Sequence, residues 1–267
     1  MFNALATFWR NPDTHRGYVC FFTFVHLIAM VGVWYGVTHA ASATIVFAIA
    51  YFFSVHLSIT CGAHRLCAHE SFEVTQSLQW VLVLLFSAAY QGPIIWWAGK
   101  HKHHHATEDK EGDPHSPQDG FFHSHIGWLI SKRGLEPAPA RYVRHFYVRR
   151  TSNGTMRFAP AHWQMKYHHP LAVLMTFVVP TVFGFLWGDW LGGLLVGGFA
   201  RLAFQYHLTW VVNSVGHKFG THKGGLSTNV WVLAVPTVGE SFHANHHESP
   251  GDFRLGRKWY ELDLGAY

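Results

Sequence analysis

Hydrophobic residues in this chain gather into long runs, not into the short alternations of a soluble core. Tyr18 to Val37 and Ser42 to Ile59 contain no Lys, Arg, Asp or Glu, and each approaches the roughly 20 residues with which a helix crosses a bilayer. Leu171 to Trp187 and Trp190 to Val212 form a second pair. Only His39 to Ala41 and Gly188-Asp189 separate the members of each pair, turns too short to hold a domain. The pattern predicts an all-α integral membrane protein with four transmembrane helices arranged as two hairpins, at about 18–38, 42–60, 171–187 and 190–212. The polar segments 61–170 and 213–267 are expected to form one helical cap within a single domain spanning 1–267. The first run is longer than a signal-peptide core and lacks a small-residue cleavage site after it, so a retained span with no transit peptide before it is expected.

Composition agrees with lipid as the solvent. Charged residues make up 13% of the 267 positions, about half the share of an ordinary soluble domain. Of the 20 Lys and Arg, only Arg201 lies in a span, and neither hairpin turn carries one. The positive-inside rule then puts the turns outside and the polar segments in the cytoplasm. A multi-pass protein with its active site on the cytoplasmic side follows, and a bacterial inner membrane fits better than the endoplasmic reticulum. The net charge of +5 is explained by this topology and needs no nucleic acid. Cys20, Cys61 and Cys67 make neither a zinc spacing nor a disulfide framework and read as small apolar filler.

Histidine changes the picture. There are 23, in three clusters: "HRLCAH" with His64 and His69, "HKHHH" with His101, His104 and His105, and "HANHH" with His243, His246 and His247. Offsets of three and four put side chains on one helix face, so the last two clusters each present three imidazoles together. Five residues turn an α-helix by about 500°, so His64 and His69 diverge unless the helix ends between them, and a break near Gly62 is expected. "NSVGH" adds Asn213 and His217 where the last span ends. Imidazole is the commonest metal ligand because it is close to neutral at pH 7. Nine histidines and one Asn are too many for one ion and suit two; spacing leaves zinc, copper, nickel and iron open. No HExxH is present, which leaves a zinc protease without support.

Val74 to Ala98 is apolar enough to be a fifth span. A crossing there would put His64 and His69 on the opposite face from His101, so the segment is expected to lie within or against the cap.

These clusters stand in a wider set of motifs: "GAHRLCAHESF" from Gly62, "WAGKHKHHH" from Trp97, "DPHSPQDGFFHSHIGWLI" from Asp113, "TWVVNSVGH" from Thr209 and "GESFHANHH" from Gly239. In that order, over nearly the whole chain, the sequence resembles a membrane acyl-CoA desaturase of the stearoyl-CoA Δ9 type. The resemblance implies four membrane helices, a cytosolic cap, two non-haem irons, dioxygen as oxidant and a cis double bond as product. It makes His64, His69, His101, His104, His105, His217, His243, His246 and His247 the iron ligands, with Asn213 acting through a water. His103 takes the variable place in its box. His115, His123 and His125 are expected to serve in structural hydrogen bonds, and His26, His39, His56, His145, His168, His169 and His207 are non-ligands.

The same resemblance implies a bent acyl tunnel with Gln91, Trp97 and Thr209 at the bend and Trp210 beside them. Phe52 and His56 fall where the family closes its tunnel. Lys132 and Arg133 match a basic pair used for CoA phosphates. The chain departs from the family at Gly99-Lys100, where an Arg-Asp pair grips the head group, and at Gly92 in place of Asn. The head group thus stays open among CoA, acyl carrier protein and lipid.

The implied substrate is a fatty acyl thioester held beside membrane lipid. Electrons are expected from a separate donor, a ferredoxin or a cytochrome b5-like protein with its reductase. An acetylenase or hydroxylase would use the same scaffold. A metal transporter is a rival from another class, but transporters place ligands near the bilayer midplane, whereas these clusters sit at span ends and in polar segments.

Overall fold

The computed structural model describes residues 7–152, 154–222 and 226–267. Helix α1, Arg16–Thr38, begins where the His15 side chain accepts the Tyr18 N–H. After the turn at His39 to Ala41, helix α2 covers Ser42–Leu57. A third helical run covers His168–Phe185 and a fourth is continuous from Trp190 to Ser214. Arg16–Thr38, Ser42–Ala68 (α2 with its helical continuation) and His168–Phe185 are long and apolar enough to cross a membrane; Arg201, Gln205, His207 and Asn213 make the fourth more polar. Large apolar side chains such as Val33, Val37, Ile49, Val182 and Leu186 point outward from these helices, an apolar surface that water would not tolerate.

Two devices bind the runs together. A Cβ at Gly32 of α1 would lie 2.4 Å from the Leu195 carbonyl oxygen, so the backbones approach as closely as small residues permit. Asp189, in the second turn, accepts bonds from the Tyr35 hydroxyl at 2.8 Å, the Ala41 N–H at 2.9 Å, the Thr44 hydroxyl at 2.5 Å and the Gly192 N–H at 2.9 Å. One carboxylate thus ties both hairpin turns together at the end away from the histidines.

The break expected near Gly62 is absent. The chain continues from α2 as a π-helix, Ser58–Ala68, and the His69 N–H reaches the His64 carbonyl at 3.1 Å. An i→i+5 hydrogen bond stacks residues five apart, so wider winding, not interruption, brings His64 and His69 to one face.

Val74 to Ala98 forms no span. Helix α3, Gln76–Ser87, is capped by the Thr75 side chain, and 12 residues reach about 18 Å, short of the ~30 Å core of a bilayer. A turn with Tyr90 at φ 50° and Gly92 at φ 88° follows. Helix α4, Ile94–Thr107, then starts after Pro93. The largest core joins α2, its π-helical continuation, α3 and α4 through Val55, Leu66, Phe86, Ile94, Phe146 and Phe158. Helix α5, Arg201–Ser214, closes the fourth run, and helix α6, His243–Glu248, carries the last cluster. The C-terminal tail packs against the π-helix. Buried Arg65 grips Asp263 through two nitrogens at 2.7 and 3.1 Å and the Phe253 carbonyl at 2.6 Å.

Candidate metal centre

Four chain segments bring the histidines to one place, where they divide into two groups. The π-helix and its C-terminus contribute His64 and His69, α4 contributes His101 and His105, and α6 contributes His246; these five form the first group. His104 from α4, His217 just past α5, and His243 and His247 from α6 form the second. In each group the ligand atoms lie within 4.8 Å of one another. The shared spacing of α4 and α6 explains the division, because each helix turns one histidine face toward both groups.

The nitrogens are too close for neutral imidazoles alone. In the first group Nε2 atoms follow one another from His64 to His246 at 2.9 Å, to His105 at 2.8 Å, to His101 at 3.0 Å and to His69 at 2.8 Å. A neutral ring nitrogen carries one proton or offers one lone pair, so at most two of these four approaches can be hydrogen bonds. The second group repeats the problem, from His104 to His247 at 3.3 Å, to His243 at 3.0 Å and to His217 at 2.9 Å.

Carboxylates make the conflict sharper. Glu240 lies 2.7 Å from Nδ1 of His64, Asp113 2.9 Å from that of His104, Asp109 3.3 Å from that of His217 and Glu108 3.1 Å from that of His247. Such partners hold the proton on Nδ1 and turn a bare Nε2 inward. His104 and His247 then face each other with two lone pairs, an arrangement that a cation between them relieves. The buried Nδ1 atoms of His243 and His246 have no partner among the described residues.

Electrostatics point the same way. Burial, reinforced by neighbouring imidazoles, holds His101, His104, His105, His243 and His246 well below the ordinary imidazole pKa, and takes His69 to about 2. These rings keep their lone pairs at neutral pH. Burial pushes the Glu240 and Glu108 carboxyls up, but His64 and Arg65 bring Glu240 down to about 2 and His247 brings Glu108 down to about 2. Two pockets of nitrogen donors ringed by carboxylates fit two metal ions, and imidazole suits first-row metals including iron.

Asn213, the remaining member of the ligand set inferred from the sequence, lines a neighbouring cavity of about 660 Å³. His101, Gln91, Trp97, Thr209, Trp210 and Lys132 line the same cavity. There the Trp97 indole donates to Gln91 Oε1 at 3.0 Å and Gln91 Nε2 donates to the Thr209 hydroxyl at 2.8 Å, so the residues of the inferred bend form one bonded row. Arg133, Phe52 and His56 do not line it. Phe52 and His56 pack ring to ring at 5.4 Å and His56 Nδ1 meets Gln205 Nε2 at 3.1 Å. Lys100 reaches the cavity wall, but a side chain at Gly99 would start 2.6 Å from Val143, which explains why no arginine stands there.

Of the accessory histidines, buried His115 packs 4.3 Å from His104 and its N–H bonds Asp113 at 3.1 Å. His125 bonds Ser214 and His207. None of the seven presumed non-ligands enters either group. The four carboxylates were not singled out by spacing. Glu240, three residues before His243, and Asp113, within "GDPH", had signals in the quoted motifs; Glu108 and Asp109 had none beyond following the second box.

A family model for fatty acid desaturases matches residues 40–266. The chain is 34% identical over 265 residues to a probable acyl-CoA desaturase of Schizosaccharomyces pombe, covering 97% of this chain and 52% of that protein. It is 35% identical over 219 residues to an sn-1 stearoyl-lipid 9-desaturase of Anabaena variabilis, covering 81% and 75%. It is 32% identical over 229 residues to a hex-5-enoyl acyl-carrier-protein acetylenase of Moorena producens, covering 78% and 67%. The chain thus spans about half the length of the yeast relative.

Proposed function

Because the chain belongs to the fatty acid desaturase family, we propose that it converts a saturated fatty acyl chain to the cis-unsaturated product, at the Δ9 position, with acyl-CoA as substrate. One acyl –CH2–CH2– unit, one dioxygen, two electrons and two protons become –CH=CH– and two waters. The observation that carries this reading is the division of nine inward imidazoles into two groups beside an apolar cavity that His101 shares. Iron in both groups, with dioxygen and electrons from a separate ferredoxin or cytochrome b5-like donor, supplies the oxidant that an unactivated methylene demands.

The protein's own residues do the rest. Asp113, Asp109, Glu108 and Glu240 orient the imidazoles and hold their outer protons. The row Trp97, Gln91 and Thr209 shapes the cavity so that one pair of carbons lies next to His101, and position then selects the bond. Aromatic walls from Phe22, Tyr206 and Trp210 keep water from the site. Lys100 and Lys132 offer positive charge to the thioester's phosphate-bearing end. All four helical runs are taken to span the membrane, with the histidines on the cytoplasmic side.

Expression in cells fed labelled saturated fatty acids, followed by double-bond mapping of the lipids by mass spectrometry, tests the proposal. A single new cis alkene is expected. A hydroxylated product or a triple bond, as in the activity named for the Moorena relative, would replace the proposal with that chemistry on the same scaffold.

A further inference from the structure

Arg201 is a buried cation in a membrane helix, and such residues call for a function and a partner. Among the described residues it makes no ion pair, and its Nη2 has no acceptor. Its Nη1 donates to the Ala88 carbonyl at 2.8 Å and to Gln205 Oε1 at 3.0 Å. Ala88 is the C-cap of α3. The last carbonyls of a helix have no partner within it and carry the negative end of its dipole. Arg201 therefore answers the buried end of α3, with the Thr176 hydroxyl on the same oxygen at 3.2 Å and the Tyr51 ring 5.2 Å from the guanidinium.

That carbonyl opens the turn between α3 and α4, and α5 holds the turn at two further points. The Tyr206 hydroxyl donates to the Tyr90 carbonyl at 2.9 Å, and the Thr209 hydroxyl accepts from Gln91 at 2.8 Å. Arg201, Tyr206 and Thr209 thus fasten one turn from successive levels of one helix. Tyr90 sits at φ 50°, a left-handed conformation that costs an L-residue energy and persists only where surroundings impose it. The turn carries the cavity residues Tyr90, Gln91, Gly92 and Pro93, and leads directly into the helix bearing His101.

We propose that Arg201 is a positioning residue that fixes the register between α5 and the α3–α4 turn, and so determines which acyl carbons lie beside His101. The inference rests on the desaturase reading above. If the fastening slips, the turn carrying Tyr90 and Gln91 shifts against Thr209 and reshapes the cavity wall beside His101, and the carbon counted from the head group to the metal centre changes. Metal binding itself does not depend on Arg201, which touches none of the nine histidines.

The test compares the wild type with Arg201→Met, Arg201→Lys and Tyr206→Phe, reading double-bond position, metal content and turnover. The wild type should give one alkene. Arg201→Met should keep its metal and raise alkene at a neighbouring position roughly tenfold, the ratio expected when a charge-assisted bond that discriminates registers is lost. Arg201→Lys, which keeps a donor for Ala88, should return most product to the original position. Tyr206→Phe, a milder change, should shift position in the same direction by less, and it carries the test if Arg201→Met fails to accumulate. An unchanged double-bond position in the accumulating variants, or loss of metal in step with turnover, overturns the inference. A wild type that makes no alkene overturns the desaturase reading and this inference with it.

Discussion

Asp113 is buried beside His104. Its carboxylate holds the Nδ1 side of His104 and also receives the His115 and Asp109 N–H groups, which fixes the ring that both α4 and the second group depend on. Removing such an outer partner lowers metal affinity by about 10–100-fold. Asp113→Ala should therefore release one metal per chain to a chelator that leaves two on the wild type, while the group around His64 keeps its ion; equal retention in both proteins would count against this role. His101→Ala, His104→Ala and His247→Ala should each abolish turnover without preventing membrane insertion, checked by product analysis and membrane fractionation. The histidines themselves were legible because spacing of three and four is a property of any helix. The carboxylates were not, since Glu108 follows His104 by four residues yet serves His247 on another helix, a pairing only the tertiary fold creates.

Elements were predicted well where hydrophobic length decides and less well where winding does. The apolar runs gave the long helices and their turns, and the need for His64 and His69 to meet His101 argued against a fifth span at Val74 to Ala98, where the structure has a helix of only 12 residues. Sequence offered no sign that Ser58–Ala68 winds as a π-helix, because apolar periodicity in a buried helix does not separate one winding from another. Asp189, an unremarkable acid in a two-residue turn, joins both hairpins. Truncation leaves the Ala41 and Gly192 N–H groups without their acceptor, and bonds to a charged group contribute about 1.5–3 kcal/mol. Asp189→Ala should lower the melting temperature in detergent while leaving metal content and double-bond position unchanged. An unaltered melting temperature would show that the turns need no common tie.

Across the whole molecule, the hairpin turns meet at Asp189 and the histidines meet at the far ends of the same helices. With Cys20 replaced by Ala to remove the native exposed thiol, cysteines placed at exposed His39 and at exposed Lys110 should label from opposite sides of sealed vesicles, Lys110 from the cytoplasmic side. Labelling of both from one side would contradict the four-span arrangement. Whether the nine converging imidazoles hold two irons is read by metal analysis of protein purified without added metal under anaerobic conditions. Two irons per chain are predicted. One zinc with no iron, in protein that still forms the alkene, would rule out a di-iron centre.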